Sequence, residues 1–374
     1  MKLGLSLYLF CLPALGYAQL SNVPSWDEIK PPAEQAAPRA VKLRASGASY
    51  IRSIHYVRPR PATTAAQLTA INPNLPKLLP GFAKLMATAE VSSRYKELYD
   101  RKLREMRKGE LLTPHNYFDC ETVLRLEYPG TGRKVLLLQA DMDVVTDGSD
   151  PGRAPKLADY NAARTSDWYL PETSYSWTRS GGAENPFLEY YPGALAKLQK
   201  LRAQLAAEAK TDQGVIWREL LQSCDDQIYR VKMRGLGKST KSGLRARRFL
   251  LADRDPFVVL PIPWVNQSAA WSPQIGDYAA VVYKDRLYPA ILGDAGPRNK
   301  VGEASLRIAR TLNPEANGKK RAVSSLAVTY LYFPRTNPTK AAPDLKLWRN
   351  KVRELLDEIG GLTNPDSLHD WTAK

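Results

Sequence analysis

Histidine and cysteine are scarce in this 374-residue chain, at three each, and that scarcity removes several kinds of chemistry at once. His55, His115 and His369 show no metal-ligand spacing, so a histidine-rich metal motif is excluded, and no Ser–His–Asp signature forms around them. Cys11, Cys120 and Cys224 are too few for a disulfide-rich scaffold. Long apolar runs are missing too. The stretch Leu3 to Leu12 is short for a bilayer span, and no later run approaches the required length of about twenty residues. Gly237-Lys238-Ser239 has Lys232 where a phosphate-binding loop needs glycine, so nucleotide binding is discarded.

What is present is charge, mostly positive. The formal net charge is +16, from 54 Lys and Arg against 38 Asp and Glu. Such an excess suits an acidic partner such as nucleic acid, an anionic wall polymer or a membrane surface. Its distribution weakens that inference. Arg230 to Arg248 carries eight basic residues and no acid, whereas Gln139 to Pro151 carries four Asp and no Lys or Arg. Neither nucleic acid nor a membrane span is expected. Oligomeric state is not legible.

Residues 1–18 read as a secretory signal: Lys2, an apolar stretch, then Gly16-Tyr17-Ala18 as a small-residue cleavage site. A secreted protein is expected, without Cys11 once the signal is removed. Cys120 and Cys224 could then pair or stay free. Residues 19–80, rich in Ala, Pro, Arg and Thr, suggest a flexible or loosely docked leader. Residues 81–115 form a helical extension, its helix running from Phe82 to Lys108. A domain over 116–335 follows, interrupted by an insertion over 151–248, and 336–374 form a C-terminal helical extension.

Strand signals open the domain. Thr122 to Leu126 and Lys134 to Leu138 flank Pro129-Gly130-Thr131-Gly132, a hairpin. The second strand runs into Asp141, Asp143 and Asp147, an acidic end that can line a cleft, bind a cation or cap a loop. The insertion begins with a long aromatic stretch. Its Trp177 could stack on a sugar ring or simply anchor the loop. Ala194 to Ala209 and Val215 to Met233 read as a helical hairpin. The core resumes with Phe249 to Ala252, Phe257 to Pro261, Asp277 to Tyr283 and Leu287 to Leu292, and ends with Ser325 to Phe333. A helix over Leu345 to Gly360 closes the chain. The fold class is therefore α+β: a mainly β core with a long helical insertion and flanking helices.

The organising segment is Tyr288 to Leu312. An apolar strand breaks at Gly293-Asp294-Ala295-Gly296-Pro297, and a helix restarts at Gly302-Glu303-Ala304-Ser305. Asp294 and Glu303 thus rim one short loop as a candidate acid/base pair. Asp294 at an apolar strand end could be the acid through desolvation, and Glu303 near a helix N-terminus could be a base held ionised by the helix dipole. Capping roles would explain the same two residues. Asp141 and Asp143 are alternative bases.

Gly293 to Pro297 followed by Val301 to Ser305 resembles the signature of glycoside hydrolase family 75, the chitosanases. Ala140 to Asp143, Phe257 to Pro261 and Val328 to Phe333 resemble further pieces of that family, in the same order. The resemblance spans about Thr122 to Pro334, without the insertion. It implies endo-hydrolysis of β-1,4-linked glucosamine with inversion, no metal or cofactor, and Asp294 and Glu303 as the essential pair. The segment around Asp294 also looks like that of double-psi barrel glycan enzymes, in which the matching Asp is the acid. This resemblance implies that the β core is a small six-stranded barrel, with a double-psi form as one option. Asp141, Asp143, Asp147, Trp177 and Tyr288 are the expected substrate contacts. The alternatives are a hydrolase or lytic enzyme acting on peptidoglycan or another polysaccharide, and a glycan-binding barrel without activity.

Overall fold

The computed structural model describes residues 58–107, 119–148, 152–153, 172–179, 181, 184–211, 243–298, 300–318, 320–336 and 339–373, with scattered positions between 221 and 232. The proposed signal and most of the leader lie outside them. So does more than half of the second helix of the insertion.

The core is a closed barrel of mixed strands. Strands β1 (Glu90–Val91), β2 (Cys120–Glu127), β3 (Lys134–Val145), β4 (Ser176–Thr178), β5 (Arg247–Phe249), β6 (Phe257–Pro261), β7 (Tyr278–Tyr283), β8 (Arg286–Gly296), β9 (Glu303–Ser305) and β10 (Val323–Tyr332) follow in chain order. The main sheet runs β1-β2-β3-β10-β7-β8-β6-β9, and a parallel pairing of β3 with β9 closes it into six strands. β6 and β8 are the other parallel pair. The expected six-stranded β core with helices around it is what the chain forms. β6 reads as a continuous apolar run because all five of its residues are buried, as expected of a strand covered on both faces.

The hairpin of β2 and β3 forms where the Pro129–Gly132 turn places it, with Leu124 opposite Leu137. Phe249 to Ala252 is not a barrel strand. Its first residue closes β5, which pairs with β4 in a separate two-stranded ribbon. The helix expected from Phe82 to Lys108 is broken. Helices α1 (Ala65–Ile71), α2 (Leu75–Leu78), α3 (Phe82–Met86) and α4 (Ser93–Arg107) occupy this side of the molecule. Between α3 and α4 the backbone leaves helical geometry to give β1 its pairing with β2, and the Ser92 N–H donates to the Val123 carbonyl. Sheet hydrogen bonds here override helical periodicity.

From residue 58 onward the leader is docked. Leu68 and Leu75 are fully buried, and the Ala62 N–H donates to the Glu121 carbonyl on β2. The two extensions meet each other as well. The Thr363 N–H donates to the Leu78 carbonyl, and Arg133 of the hairpin turn pairs with Glu358 at 2.5 Å.

In the insertion, helix α5 (Phe187–Thr211) begins earlier than its apolar pattern suggested. Tyr191, Ala194, Leu198, Leu201 and Leu205 make one buried stripe at helical spacing. With Cys224, Ile228, Val231, Leu244, Phe249 and Leu251 they form a second, smaller core. Cys120 lies in the barrel core and Cys224 in this second core, both buried and unpaired. Helices α6 (Leu306–Leu312) and α7 (Leu345–Asp357) complete the fold. No helix among the described residues is long and apolar enough to cross a membrane.

Candidate active site

Register across three strands brings the candidate carboxylates together. Val259 of β6 pairs with Asp294 of β8 on one side and with Glu303 of β9 on the other. Glu303 in turn pairs with Asp143 of β3. In-register side chains share one face of a sheet, so Asp143, Glu303, Val259 and Asp294 form a single row. Neighbouring strands lie about 4.8 Å apart, which sets the backbones of Asp294 and Glu303 about 9.5 Å from each other.

Two sequence-based expectations change here. β8 does not end at Gly293; it continues through Asp294 to Gly296. Nor does Glu303 sit at the start of a helix. It belongs to β9, because Asp143 to Val145 recruit residues 303–305 into a parallel ladder, and α6 starts only at Leu306. The helix dipole therefore does not hold Glu303 ionised. Its carboxyl is raised above the ordinary range, first by burial, with the charges of Asp143 and Asp294 adding and Lys300 opposing.

The glycines of this segment make room for the site. A bulge falls at Gly293, the extra residue that lets Asp294 take the register of Val259. A Cβ at Gly293 would lie 2.6 Å from Phe257 and Leu250 atoms, so no larger residue fits there. A Cβ at Gly296 would lie 2.8 Å from Glu303 Oε2, so this glycine leaves space for the carboxylate.

Asp294 is half-buried, and its Oδ1 accepts three hydrogen bonds: from the Ser174 N–H (2.8 Å), the Ser174 hydroxyl (2.5 Å) and the Ala295 N–H (2.8 Å). The insertion supplies Ser174. Its strand-like segment is stitched to the barrel where the Tyr175 N–H donates to the Gly293 carbonyl.

Lys300 stands on the other side. Its ammonium lies 2.9 Å from Asp143 and also bonds the Glu303 carboxylate, and all three side chains are largely enclosed. Burial pushes Asp143 up, but Lys300 and Arg321 more than offset it and its carboxyl is lowered on balance. Asp141 is ion-paired with Arg321, and burial still raises its carboxyl to about 7. The Tyr330 hydroxyl donates to the Asp141 carbonyl, and the Tyr332 hydroxyl donates to the Val259 carbonyl.

Of the expected substrate contacts, only Asp143 joins the row directly, and Asp141 lies two residues before it. Asp147 is buried beyond the end of β3, its carbonyl accepting from the Ala252 N–H. Trp177 is buried in β4 with its ring centroid 6.0 Å from that of Tyr175, so it anchors the insertion and offers no face to a sugar. Tyr288 is misplaced by the sequence reading. It is buried at the far end of β8 against His369 and Trp371, at 5.3 and 6.0 Å. Sequence reasoning missed Lys300, Arg321 and Ser174. Lys300, a base three residues before Glu303, carried a usable signal; Ser174, 120 residues from Asp294, carried none.

Buried and half-buried carboxylates set in one row across a β-barrel are the kind of groups that acid/base hydrolysis of a glycosidic bond uses. Residues 216–365 match the family described as fungal chitosanase of glycosyl hydrolase group 75. That match supports a chitosanase-like glycoside hydrolase domain over this part of the chain. The match includes Asp294, Lys300, Glu303 and Arg321 but not β3 with Asp141 and Asp143. No curated protein matches the chain.

Proposed function

We propose that the protein hydrolyses β-1,4-glucosamine linkages of chitosan, endo-fashion and with inversion, with Glu303 as general acid and Asp294 as general base. The observation that carries this reading is the Asp294–Val259–Glu303 row. One intervening strand leaves room for a water beside the scissile bond, as an inverting pair needs at a carboxyl separation of about 6.5–9.5 Å. Glu303, buried and raised, suits the proton donor. Asp294, half-buried with its Oδ1 fixed by three donors, suits orientation of the attacking water. Glu303 would protonate the leaving oxygen as the C1–O bond breaks, while the water adds to C1 and gives its proton to Asp294.

Local charge supports a cationic substrate despite the net charge of +16. With Glu303 protonated, the acidic groups Asp141, Asp143 and Asp294 still number three against Lys300 and Arg321 within the site. A second reading, an anionic wall glycan such as peptidoglycan, rests on the positive surface; added salt should weaken that binding and assist the first. We also propose export through residues 1–18, which sequencing the N-terminus of the mature protein would test.

The functional test is release of reducing ends from soluble chitosan by the parent, Asp294→Asn and Glu303→Gln. Activity in the parent and its loss in both variants, with folding intact, is the expected result. A folded parent that leaves chitosan uncut would refute this reading, and activity that survives in either variant would refute the assignment of that carboxylate. Because an acid works only while protonated, the basic limb of the kcat/KM profile should lie above the ordinary glutamate range.

A further inference from the structure

We propose that Lys300 is a positioning residue that fixes the single proton of the Asp143–Glu303 pair on Glu303, keeping the acid loaded while Asp143 stays charged. This rests on the reading of Glu303 as the acid. Asp143 and Glu303 are in-register neighbours on β3 and β9, and the Lys300 ammonium bonds both. Two enclosed carboxylates side by side do not both ionise against one cation without an uncompensated buried charge. The neutral arrangement of the three groups is one ammonium, one carboxylate and one carboxylic acid.

Which carboxyl takes the proton is decided by what faces each of them. On the Asp143 side, β3 also presents Asp141, whose partner Arg321 brings a second cation close. On the Glu303 side, β8 presents the Asp294 carboxylate, whose charge opposes ionisation of the group. β10 contributes the Tyr330 and Tyr332 hydroxyls, both donating to backbone carbonyls. Arg321 therefore favours an ionised Asp143, and Asp294 favours a protonated Glu303. In turnover the Glu303 proton passes to the leaving oxygen, and the new carboxylate finds the Lys300 ammonium already in place. Lys300 keeps its own protons throughout, and Glu303 is reloaded from solvent.

The experiment compares pH profiles of kcat/KM for the parent, Lys300→Met, Lys300→Arg and Asp143→Asn on soluble chitosan. Asp143→Asn removes the like charge beside Glu303, so the basic limb should move down by about one pH unit. Lys300→Met removes the counter-charge, so the limb should move up by a similar amount and kcat/KM should fall about tenfold or more. Lys300→Arg, which keeps the cation, should restore the limb towards that of the parent. A mere packing role would move neither limb. A basic limb that Asp143→Asn leaves in place or moves up overturns the proposal, even where Lys300→Met fails to fold. Titration of the Glu303 carboxyl carbon by NMR, assigned with Glu303→Gln, reads the same opposed shifts without turnover. It separates failure of this inference from failure of the chitosanase reading.

Discussion

Strand β8 has one end beside the candidate catalytic carboxylates and one packed in aromatic surface. At its start, Tyr288 packs against His369 and Trp371, the Trp371 indole N–H donates to the Pro289 carbonyl at 2.8 Å, and the Arg307 guanidinium lies 5.0 Å from the Trp371 ring. At its finish, about 20 Å along the strand, Asp294 reaches towards Glu303 across Val259. The first end is a plug: dry aromatic surface brought back by the C-terminal segment. The second holds polar groups at fixed separations, with glycines where carboxylates need room. Aromatic residues near a catalytic strand are thus not evidence of a sugar platform. Their position along the strand decides.

The division can be broken from either side. Asp294→Asn and Glu303→Gln should lower kcat by about 10²–10⁴-fold, while thermal unfolding stays within a few degrees of the parent. Trp371→Ala should do the reverse. It empties a buried indole site and should cost about 3 kcal/mol or more in stability, read by urea unfolding, with kcat near that of the parent at low temperature. Gly293→Ala blurs the two ends, because its Cβ would press on Phe257 beneath the catalytic bulge. It should cost about 1–3 kcal/mol by overpacking, and activity should fall with stability; unchanged activity would mean that the bulge does not position Asp294. Ser174→Ala has the smallest effect. It removes the hydroxyl donor and leaves the backbone donor, so a loss of about 0.5–1.5 kcal/mol in transition-state stabilisation is expected, read as a few-fold fall in kcat.

Much of the barrel was legible because buried strands are apolar runs bounded by turns. β2, β3, β6, β7 and β10 each coincide with such a run. β9 was not legible, since three residues after a glycine and before an amphipathic stretch look like a helix start. Only pairing with Asp143 to Val145, distant in sequence, makes them a strand. The same reason misassigned the environment of Glu303: local sequence proposes a dipole, and tertiary pairing supplies burial and a lysine instead. Asp294 and Glu303 stood out through family resemblance, not through spacing. Ser174 could not stand out at all, because its contact depends on how the insertion folds back. Trp177, for which stacking and anchoring were both open, and Tyr288 are buried, and a sequence does not say which face of an aromatic ring is covered.

The seam between β3 and β9 also bears on how the enzyme comes into being. It joins segments separated by about 160 residues of chain, a long-range parallel pairing of the kind that forms slowly. The second core is more local in sequence and can consolidate earlier. On refolding from denaturant, helical signal should return before hydrolysis does, because Asp143 and Glu303 become neighbours only when that seam closes.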